Sequence, residues 1–334
     1  MSHLSRLLST TLTAAVLAAG CLTVATASPA TAETCLPPIP PFPPVCFPTI
    51  PGTEPPTATT PTTITGTPAK VGVELTATEP TWSDPTATTT YQWQQSGVAI
   101  PDATQQTYTV RPADVGKQLS VVATGTTPLQ QAGQSTSDPV TGMLGDAIEP
   151  TSPPSITGTP AVGQTLTAKP GTWDGDPEPT FGYRWYRNGV VISGATKSTY
   201  AVSGADAGRS LAVVVTATRP GYRPGSAAAG PKQVAKVTTT TKLVLVKKTI
   251  AKGAKGQVRI TLTARGLTPS GTVRVFDGTK LVATYTVRPS DNGVRVVTLP
   301  VLKPGQHSLS ARYAGDPTAK ASQSTAVVLK VKSR

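Results

Sequence analysis

A repeat with a period of about 92 residues occupies the middle of the chain. Tyr91-Gln92-Trp93 returns as Tyr183-Arg184-Trp185, and Asp114-Val115-Gly116 returns as Asp206-Ala207-Gly208. The chain also holds 34 prolines and 30 glycines among its 334 residues. Prolines at this density exclude long helices, because each one removes a backbone donor and clashes with the preceding turn. The two copies are therefore expected to fold alike, into units built from short strands.

Side chains within each copy alternate with the period of a β-strand. Starting at Leu119 and again at Leu211, every second residue belongs to one apolar set, which is typical of a strand with one buried face. Turn-forming Gly, Pro and Asp residues recur roughly every eight to twelve positions. Asn188-Gly189 predicts a tight hairpin, because both residues tolerate a positive φ. The pattern predicts antiparallel strands that form a β-sandwich.

The C-terminal part of the chain differs in sequence from the two repeats but shows the same strand alternation and turn signals. Val244 with Val246, the run 258–262 and the run 273–275 alternate as strands, and Asp277-Gly278 predicts another hairpin. The chain is thus predicted to be all-β, with three sandwiches in series. Their expected bounds are residues 62–145 and 151–236 for the two repeats and residues 238–334 for the third sandwich.

Residues 1–32 are interpreted as a signal peptide. One basic residue, Arg6, precedes an apolar stretch at 12–27 that is too short and polar to span a bilayer stably. Ala30-Thr31-Ala32 forms a small-x-small cleavage site. A second interpretation stays open, since Ala18-Ala19-Gly20-Cys21 is similar to a lipoprotein signal in which Cys21 would be lipidated. Both interpretations predict an extracellular or surface-associated protein without a transmembrane span.

Residues 33–61 contain 11 prolines and predict an extended polyproline II segment. A spacer is the favoured interpretation of this segment, and a ligand for a proline-binding domain is the alternative. Cys35 and Cys46 are the two cysteines beyond the signal. In the oxidising environment outside the cell, they are predicted to form a disulfide.

Side chains that could perform catalysis are scarce. Beyond the signal the sequence keeps one histidine, His307, and no cysteine after Cys46, which excludes a zinc site built from several histidines. The Gly305-Gln306-His307-Ser308-Leu309 context predicts a structural position for this histidine rather than a role in a Ser-His-Asp triad. Asp174-Gly175-Asp176-Pro177-Glu178 places three carboxylates at alternate positions, as a calcium loop would. The first copy has only Asp84 there, so a solvated turn is favoured. We predict no enzyme, no cofactor and no metal.

The aromatic residues divide into matched and unmatched positions. Tyr186 and Tyr222 have no aromatic counterpart in the first copy, which makes them candidates for stacking against sugars. They carry the alternative prediction of a carbohydrate-binding accessory protein that acts on glycans. The tryptophans all occur at matched positions, which indicates core packing: Trp82, Trp93, Trp173 and Trp185.

Positive charge is concentrated at the C-terminal end. Residues 33–145 carry a net charge of −5, residues 146–236 carry +3, and residues 237–334 carry +14. A domain of this charge concentrates polyanions by an attraction that salt weakens, although a merely solvated basic surface is the competing interpretation. The candidate polyanion-binding residues are Lys242, Lys247, Lys248, Lys252, Lys255, Arg259, Arg265, Lys330, Lys332 and Arg334.

The two copies resemble the immunoglobulin-like (Ig-like) repeats of secreted actinobacterial proteins. The shared pattern is Val-Gly-x-x-Leu-x-Ala, a Trp, Tyr-x-Trp, Gly-x-x-Ile and Asp-x-Gly-x-x-Leu. The third unit is similar to a bacterial Ig-like domain of a different group, through Ser270-Gly271-Thr272-Val273, Val275-Phe276-Asp277 and Ala311-x-Tyr313-x-Gly315-Asp316. Unlike vertebrate-type Ig domains, these units have no cysteine pair between sheets, and no Tyr stands four residues after Asp114 or Asp206.

The resemblance implies three tandem Ig-like β-sandwiches and a non-enzymatic role at the cell surface. Such modules serve as structural spacers or as adhesion and binding modules. The expected partners are anionic cell-wall polymers or glycans, reached through the basic C-terminal domain, and a protein partner at the cell surface stays open. No specific nucleic-acid partner is expected, because an exported protein does not meet one.

Overall fold

The computed structural model describes Glu33–Cys35, Cys46–Pro48 and residues 54–334. The predicted signal peptide and Cys21 lie outside the described residues. The chain divides into two compact units. Unit 1 is the described part of Met1–Thr60 with Thr81–Thr89 and Thr124–Gln134, and unit 2 is Pro61–Pro80, Thr90–Ala123 and Ser135–Arg334.

The all-β prediction is confirmed. Within the described ranges, the only helical elements are three 3₁₀ helices of three residues each, at Pro112–Asp114, Gly204–Asp206 and Pro289–Asp291. Every other regular element there is a β-strand, as expected for a chain in which proline prevents longer helices from forming.

The segment before the first sandwich is not polyproline II throughout, so that prediction was wrong where strands form. Strands β1 (Glu33–Cys35) and β2 (Cys46–Pro48) pair antiparallel, and their register sets Cys35 opposite Cys46. Directly opposite residues in such a ladder have Cα atoms about 4.5–5.5 Å apart, which is within the range that a disulfide requires. The Cys35–Cys46 bridge stays a prediction with a compatible backbone register.

The first repeat forms short strands arranged in small sheets. Their order is β4-β5-β9 in one sheet and β11-β10-β7-β8, with β12 beside β10, in another, while β3 pairs with β6. The expectation that an extended linker runs to residue 61 does not hold, because β3 is already part of a ladder. The strands are β3 (Ala58–Thr60), β4 (Ile64–Thr65), β5 (Glu74–Ala77), β6 (Thr81–Trp82), β7 (Thr88–Gln95), β8 (Val98–Ala99), β9 (Thr107–Thr109), β10 (Gln118–Thr126), β11 (Ala132–Thr136) and β12 (Val140–Thr141).

The second repeat reproduces this arrangement. Its sheets are β15-β16-β20 and β19-β18-β21-β23, and β14 pairs with β17 as β3 pairs with β6. The segment 146–150, left between the two predicted repeats, contributes to β13 and β14 rather than to a free linker. The strands are β13 (Gly145–Ala147), β14 (Pro150–Ser152), β15 (Ser155–Thr157), β16 (Thr165–Lys169), β17 (Thr172–Trp173), β18 (Thr180–Arg187), β19 (Val190–Val191), β20 (Thr199–Ala201), β21 (Ser210–Thr218), β22 (Tyr222–Arg223) and β23 (Gly225–Gln233).

The third sandwich has a three-stranded sheet, β24-β26-β29, and a six-stranded sheet, β25-β32-β30-β27-β28 with β31 beside β30. Its core holds Val258, Ile260, Val273 and Leu309, all fully buried, which confirms the predicted alternation in β26 and β27. The strands are β24 (Thr239–Leu245), β25 (Thr249–Ile250), β26 (Lys255–Ala264), β27 (Gly271–Asp277), β28 (Lys280–Val287), β29 (Val294–Val301), β30 (Gly305–Tyr313), β31 (Ser322–Gln323) and β32 (Val327–Val331).

The core tryptophans are buried as predicted. Trp93 and Trp185 are 0% exposed, and Trp82 and Trp173 are 8% and 6% exposed. The hairpin at Asn188-Gly189 is also confirmed, with φ of 47° and 79° at the two residues between paired strands β18 and β19.

A buried aspartate stands at the same corner of both repeats. Asp114 and Asp206 each end a 3₁₀ helix, and both are buried. The hydroxyl of Tyr108 donates to Asp114 at 2.7 Å, and that of Tyr200 donates to Asp206 at 2.9 Å. The tyrosine that completes the corner therefore precedes its aspartate by six residues instead of following it.

Candidate functional site

The ten basic residues predicted to bind polyanions do not form one surface. Seven of them lie along one edge of the third sandwich, around β25 and β32. The backbone N–H of Lys330 donates to the carbonyl of Lys248, and that of Lys332 donates to Ile250, both at 2.9 Å. We call this set the basic edge: Lys247, Lys248, Lys252, Lys255, Lys330, Lys332 and Arg334.

Part of the basic edge is concave. Lys247 and Lys255 line a cavity of about 360 Å³ together with Val246, Ile250 and other residues of the β24–β26 connection. Two ammonium groups beside apolar side chains can hold an anionic group whose carbon skeleton packs against the valine and isoleucine. The cavity is partly open to solvent, so a segment of an extended polymer can lie across it.

The other three residues lie elsewhere on the sandwich. Lys242 and Arg259 are exposed on the outer face of the three-stranded sheet, where Lys242 pairs with Thr261 and Arg259 lies opposite Val244 and Val296. Arg265 lies against the second repeat, since a Cβ added to Gly163 would be 3.0 Å from its guanidinium. These three residues are not brought together with the basic edge.

The outer face of the three-stranded sheet carries two valines that were expected to be buried. Val244 and Val246 were predicted to alternate as part of a strand, and their period is right. However, they are 42% and 49% exposed, while Leu243 is 3% exposed and forms part of the core. The buried face of β24 is therefore the one that carries Thr239, Thr241 and Leu243.

The acidic residues of the third sandwich contact groups other than the ten candidate cations. Asp277 Oδ2 lies 2.6 Å from Nδ1 of His307, Asp291 accepts from the backbone of Arg288, and Asp316 accepts from Thr318. These are the only three acidic residues in 237–334. No ion pair joins any of the ten predicted cations to an acidic side chain in the part of the chain that the structure describes.

The contacts of His307 favour its imidazolium form. Its Nδ1 lies 2.6 Å from Asp277 and its Nε2 lies 2.7 Å from the carbonyl of Lys303. Both partners only accept hydrogen bonds, so both ring nitrogens must donate, which requires the charged form. The hydrogen bond with Asp277, followed by the one with Lys303, raises the pKa of His307. The predicted structural role of this histidine fits these contacts.

The third sandwich should become less stable as pH rises. Because the pKa of His307 is raised in the folded state, its contribution is complete below the unfolded value of about 6.5 and disappears as pH rises through the folded value. We expect a loss of roughly 1 kcal/mol of unfolding free energy, measured by urea denaturation from pH 5.5 to 9. H307Q should lack this component, and an unchanged pH slope in H307Q would contradict the assignment.

Tyr222 is not an exposed platform for sugars. Strand β22, which carries it, pairs in parallel with β13, and a Cβ added to Gly145 would lie 2.5 Å from its ring. The guanidinium of Arg219 lies 3.9 Å from the centroid of the same ring. The side chain packs against apolar clusters of both repeats, so its role is structural and the expectation of an exposed contact was wrong.

Tyr186 lies within strand β18. It is half-buried, opposite Val191 of β19 and Ala212 of β21. Its side chain is therefore partly covered by its own sheet. No second aromatic side chain stacks with it in the described residues. A single half-buried ring is a weak basis for stacking a sugar.

Sequence reasoning missed two arginines of the third sandwich. Arg274 on β27 and Arg312 on β30 are directly opposite in the antiparallel register, and both are exposed. The available signal was the placement of each Arg between two apolar residues of a predicted strand. The strand register that pairs them was not predictable from that signal.

Metal and membrane features add nothing to the candidate site. Across residues 54–334, no three His, Cys, Asp or Glu side chains are grouped so that they could hold a metal ion. Asp174 of the predicted turn instead accepts from the backbone N–H of Glu149 at 2.8 Å. No described helix is long and apolar enough to cross a membrane.

Residues 243–332 match the family of bacterial Ig-like domains (group 3). Together with the three tandem sandwiches, this match supports an Ig-like repeat protein and agrees with the resemblance inferred for the third unit. No curated protein matches the chain significantly.

Several solved structures are similar to the chain at low identity. The N-terminal four Ig domains of Dscam1 isoform 6.9 share 11% identity over 81% of this chain and 72% of that one, with a TM-score of 0.33. The three N-terminal domains of the Hoc capsid protein of bacteriophage RB49 share 14% identity over 81% and 98%, with a TM-score of 0.32. A bacterial ice-binding adhesin shares 15% identity over 79% and 92%, with a TM-score of 0.26. These scores are too low to indicate a shared function.

Proposed function

We propose that the chain is a non-enzymatic, exported Ig-like protein whose third sandwich docks to anionic polymers of the cell envelope through the basic edge. The observation that carries the proposal is a net charge of +14 on residues 237–334, with the three acidic side chains there bonded to other groups. The polymers that fit are those with repeated phosphate or carboxylate groups, because lysines bind such groups as point charges.

The two repeats act as a spacer in this proposal. Within unit 2, the parallel pairing of β13 with β22 and the packing of Tyr222 join the end of the first repeat to the second. At the following junction, the ammonium of Lys236 donates to the carbonyl of Asp316 at 2.9 Å, and Val237 bonds to Thr318. Such contacts limit bending at both connections and favour a fixed presentation of the basic sandwich.

Localisation at the cell surface follows from export combined with docking. Signal cleavage after Ala32 would leave retention to the basic edge, whereas lipidation of Cys21 would add a membrane anchor. The alternative of a carbohydrate-binding accessory protein loses support, because Tyr222 packs between the repeats and Tyr186 alone remains.

Docking through the basic edge predicts binding that salt weakens and that depends on where the charge lies. We expect the full chain to bind a purified phosphodiester-linked wall polymer, with affinity falling at least tenfold between 50 and 200 mM salt, roughly as for other polyanions that release counterions. The triple variant K247Q/K248Q/K255Q should weaken binding about tenfold, measured by co-sedimentation across the salt series.

A matched control removes the same charge from other parts of the sandwich. K280Q/R288Q/K320Q also lowers the net charge by three, at exposed residues outside the basic edge, and should weaken binding no more than about twofold. Equal losses in the two triple variants would show that the edge is not a site. Binding that is indifferent to salt would reject electrostatic docking altogether.

A further inference from the structure

The outer face of the six-stranded sheet carries a pair of arginines that the basic edge does not include. Arg274 of β27 and Arg312 of β30 are Cα partners in the antiparallel ladder. Their neighbours along both strands, Val273, Val275, Ala311 and Tyr313, are buried, so both guanidinium groups leave the sheet on the solvent side. Directly opposite residues have Cβ atoms about 4.5–5.5 Å apart.

Like charges in this position destabilise a sheet unless something balances them. Neither arginine forms an ion pair with a described residue. Asp277, the acidic residue on the same strand as Arg274, is bonded to His307. Among the described residues, these two adjacent positive charges therefore have no acidic side chain as an ion-pair partner.

The surroundings organise the pair for an anion. The guanidinium of Arg312 lies 4.5 Å from the ring centroid of Phe276, which restrains its plane. Thr284 is opposite Arg274 on the next strand, and Gln323 is opposite Arg312 on the other side. The row across the sheet thus consists of two guanidinium groups flanked by a hydroxyl and an amide, all of which can donate hydrogen bonds.

We propose that Arg274 and Arg312 form a binding site for a phosphoryl group on the outer face of the six-stranded sheet. Two guanidinium forks can each donate two hydrogen bonds to one tetrahedral oxyanion, a geometry that lysine does not provide. The anion would also remove the repulsion between the pair. The site is independent of the basic edge, which lies around β25 and β32, and it can exist even if the edge binds no polymer.

The test monitors the Nε–H signals of the arginine side chains by NMR in the full chain. We expect addition of inorganic phosphate to a ¹⁵N-arginine-labelled chain to shift the Nε–H signals of Arg274 and Arg312 together, while chloride at equal ionic strength does not. R274K/R312K keeps the charge but lacks these two signals, so its phosphate binding is measured by titration calorimetry, and we expect it to be at least fivefold weaker than that of the wild type. R274Q/R312Q should abolish it, and R288K/R295K should leave it unchanged.

Further measurements identify the source of the phosphoryl group. They also distinguish this site from docking through the basic edge. A phosphodiester-linked wall polymer that shifts the same signals would identify the polymer as a source, whereas a response to inorganic phosphate alone would identify the free ion. K247Q/K248Q/K255Q should keep both shifts, so loss of edge docking leaves this result intact. Single R274Q should raise the unfolding midpoint without phosphate, because it removes the repulsion.

Two outcomes would overturn the proposal. The first is a lysine variant that binds phosphate as tightly as the wild type, which would reduce the site to general positive charge. The second is the absence of coupled Nε–H shifts at phosphate concentrations up to about 10 mM, a range in which a pair of charge-assisted bidentate contacts should be detectable.

Discussion

Replacing Trp185 with alanine should lower the free energy of unfolding of the second repeat by about 3–5 kcal/mol, the usual cost of removing a large core aromatic. The side chain is 0% exposed. Its ring stacks on Tyr200 with centroids 5.3 Å apart, and its Nε1–H donates to the carbonyl of Lys197 at 3.0 Å. Alanine would leave a cavity, expose one face of the tyrosine and orphan a carbonyl.

The measurement should report on the second repeat alone, because a chain of several domains does not unfold in one step. Hydrogen exchange of peptides covering β18 and β21 provides this, together with urea denaturation followed by circular dichroism. Trp185→Phe keeps most of the ring and should cost less than half as much. Tyr186→Ala, at the half-buried neighbour on the same strand, should cost about 1 kcal/mol; an equal cost at both positions would refute the packing argument.

The core of the two repeats was predictable because the repeat itself reveals it. Trp93 returns as Trp185 in the sequence, and the structure gives both the same surroundings. Trp93 stacks on Tyr108 at 5.4 Å and donates to Gln105 at 3.0 Å, just as Trp185 does with Tyr200 and Lys197. Two independent copies that keep a residue at one position indicate packing, since a solvent-exposed residue has no such constraint.

Strand periodicity predicted the third sandwich but not always the correct face. In β24 and the residue that follows it, both alternating sets are partly apolar, with Leu243 on one face and Val244 and Val246 on the other. A period of two fits both faces equally, and a shift of one residue exchanges them. Only the position of Leu243 against the core decides which set is buried.

Strand pairing at the N-terminal boundary was not predictable from composition. Ala58–Thr60 contains two threonines and Pro150–Ser152 begins with a proline. Neither segment alternates apolar with polar residues, so each was assigned to a linker or a domain edge. Each nevertheless pairs with the strand that carries a core tryptophan, at Thr81–Trp82 and Thr172–Trp173. The partner strand, rather than the local sequence, determines the extended conformation.

The net charge of the candidate site could be predicted from the sequence, but the spatial arrangement of its residues could not. The sequence places 17 basic and three acidic residues in 237–334, and proximity in sequence grouped Lys247 with Lys255, which line the same cavity. It also grouped Arg265, which lies against Gly163 of the second repeat. It missed the Arg274–Arg312 pair, which is 38 positions apart in the sequence and meets only through the register of β27 with β30.

Replacing Asp206, the buried aspartate at the corner of the second repeat, should also lower the free energy of unfolding substantially. Asp206 is 0% exposed and accepts four hydrogen bonds, from Arg187 Nε at 2.6 Å, Tyr200 at 2.9 Å, and the backbone N–H and hydroxyl of Ser203, both at 2.7 Å. D206N keeps the size of the side chain but removes its charge and one acceptor oxygen. At least one of the four donors around Asp206 would then face the amide N–H₂ group and lose its hydrogen bond. We expect a loss of about 3 kcal/mol of unfolding free energy.

The first repeat supplies the matched control for this substitution. There Gln95, at the position equivalent to Arg187, donates to the buried Asp114 at 2.7 Å. R187Q therefore gives the second repeat the arrangement of the first and should cost only about 1 kcal/mol. If R187Q costs as much as D206N, the ion pair rather than the set of hydrogen bonds stabilises the corner.

The pH dependence of D206N distinguishes loss of a charged acceptor from general damage to the fold. Burial raises the pKa of Asp206, but the hydrogen bonds from Ser203, Arg187 and Tyr200 outweigh it, and the net shift is downward. The contribution of this carboxylate is therefore complete above its unfolded value of about 3.8 and is lost as pH falls through the folded value. Between pH 5 and pH 2.5, the protection factors of the β21 amides, which correct for the slower chemical exchange at low pH, should fall in the wild type, while those of D206N, already destabilised, should change less. Parallel pH profiles in the two proteins would mean that another carboxyl group causes the acid sensitivity of the second repeat.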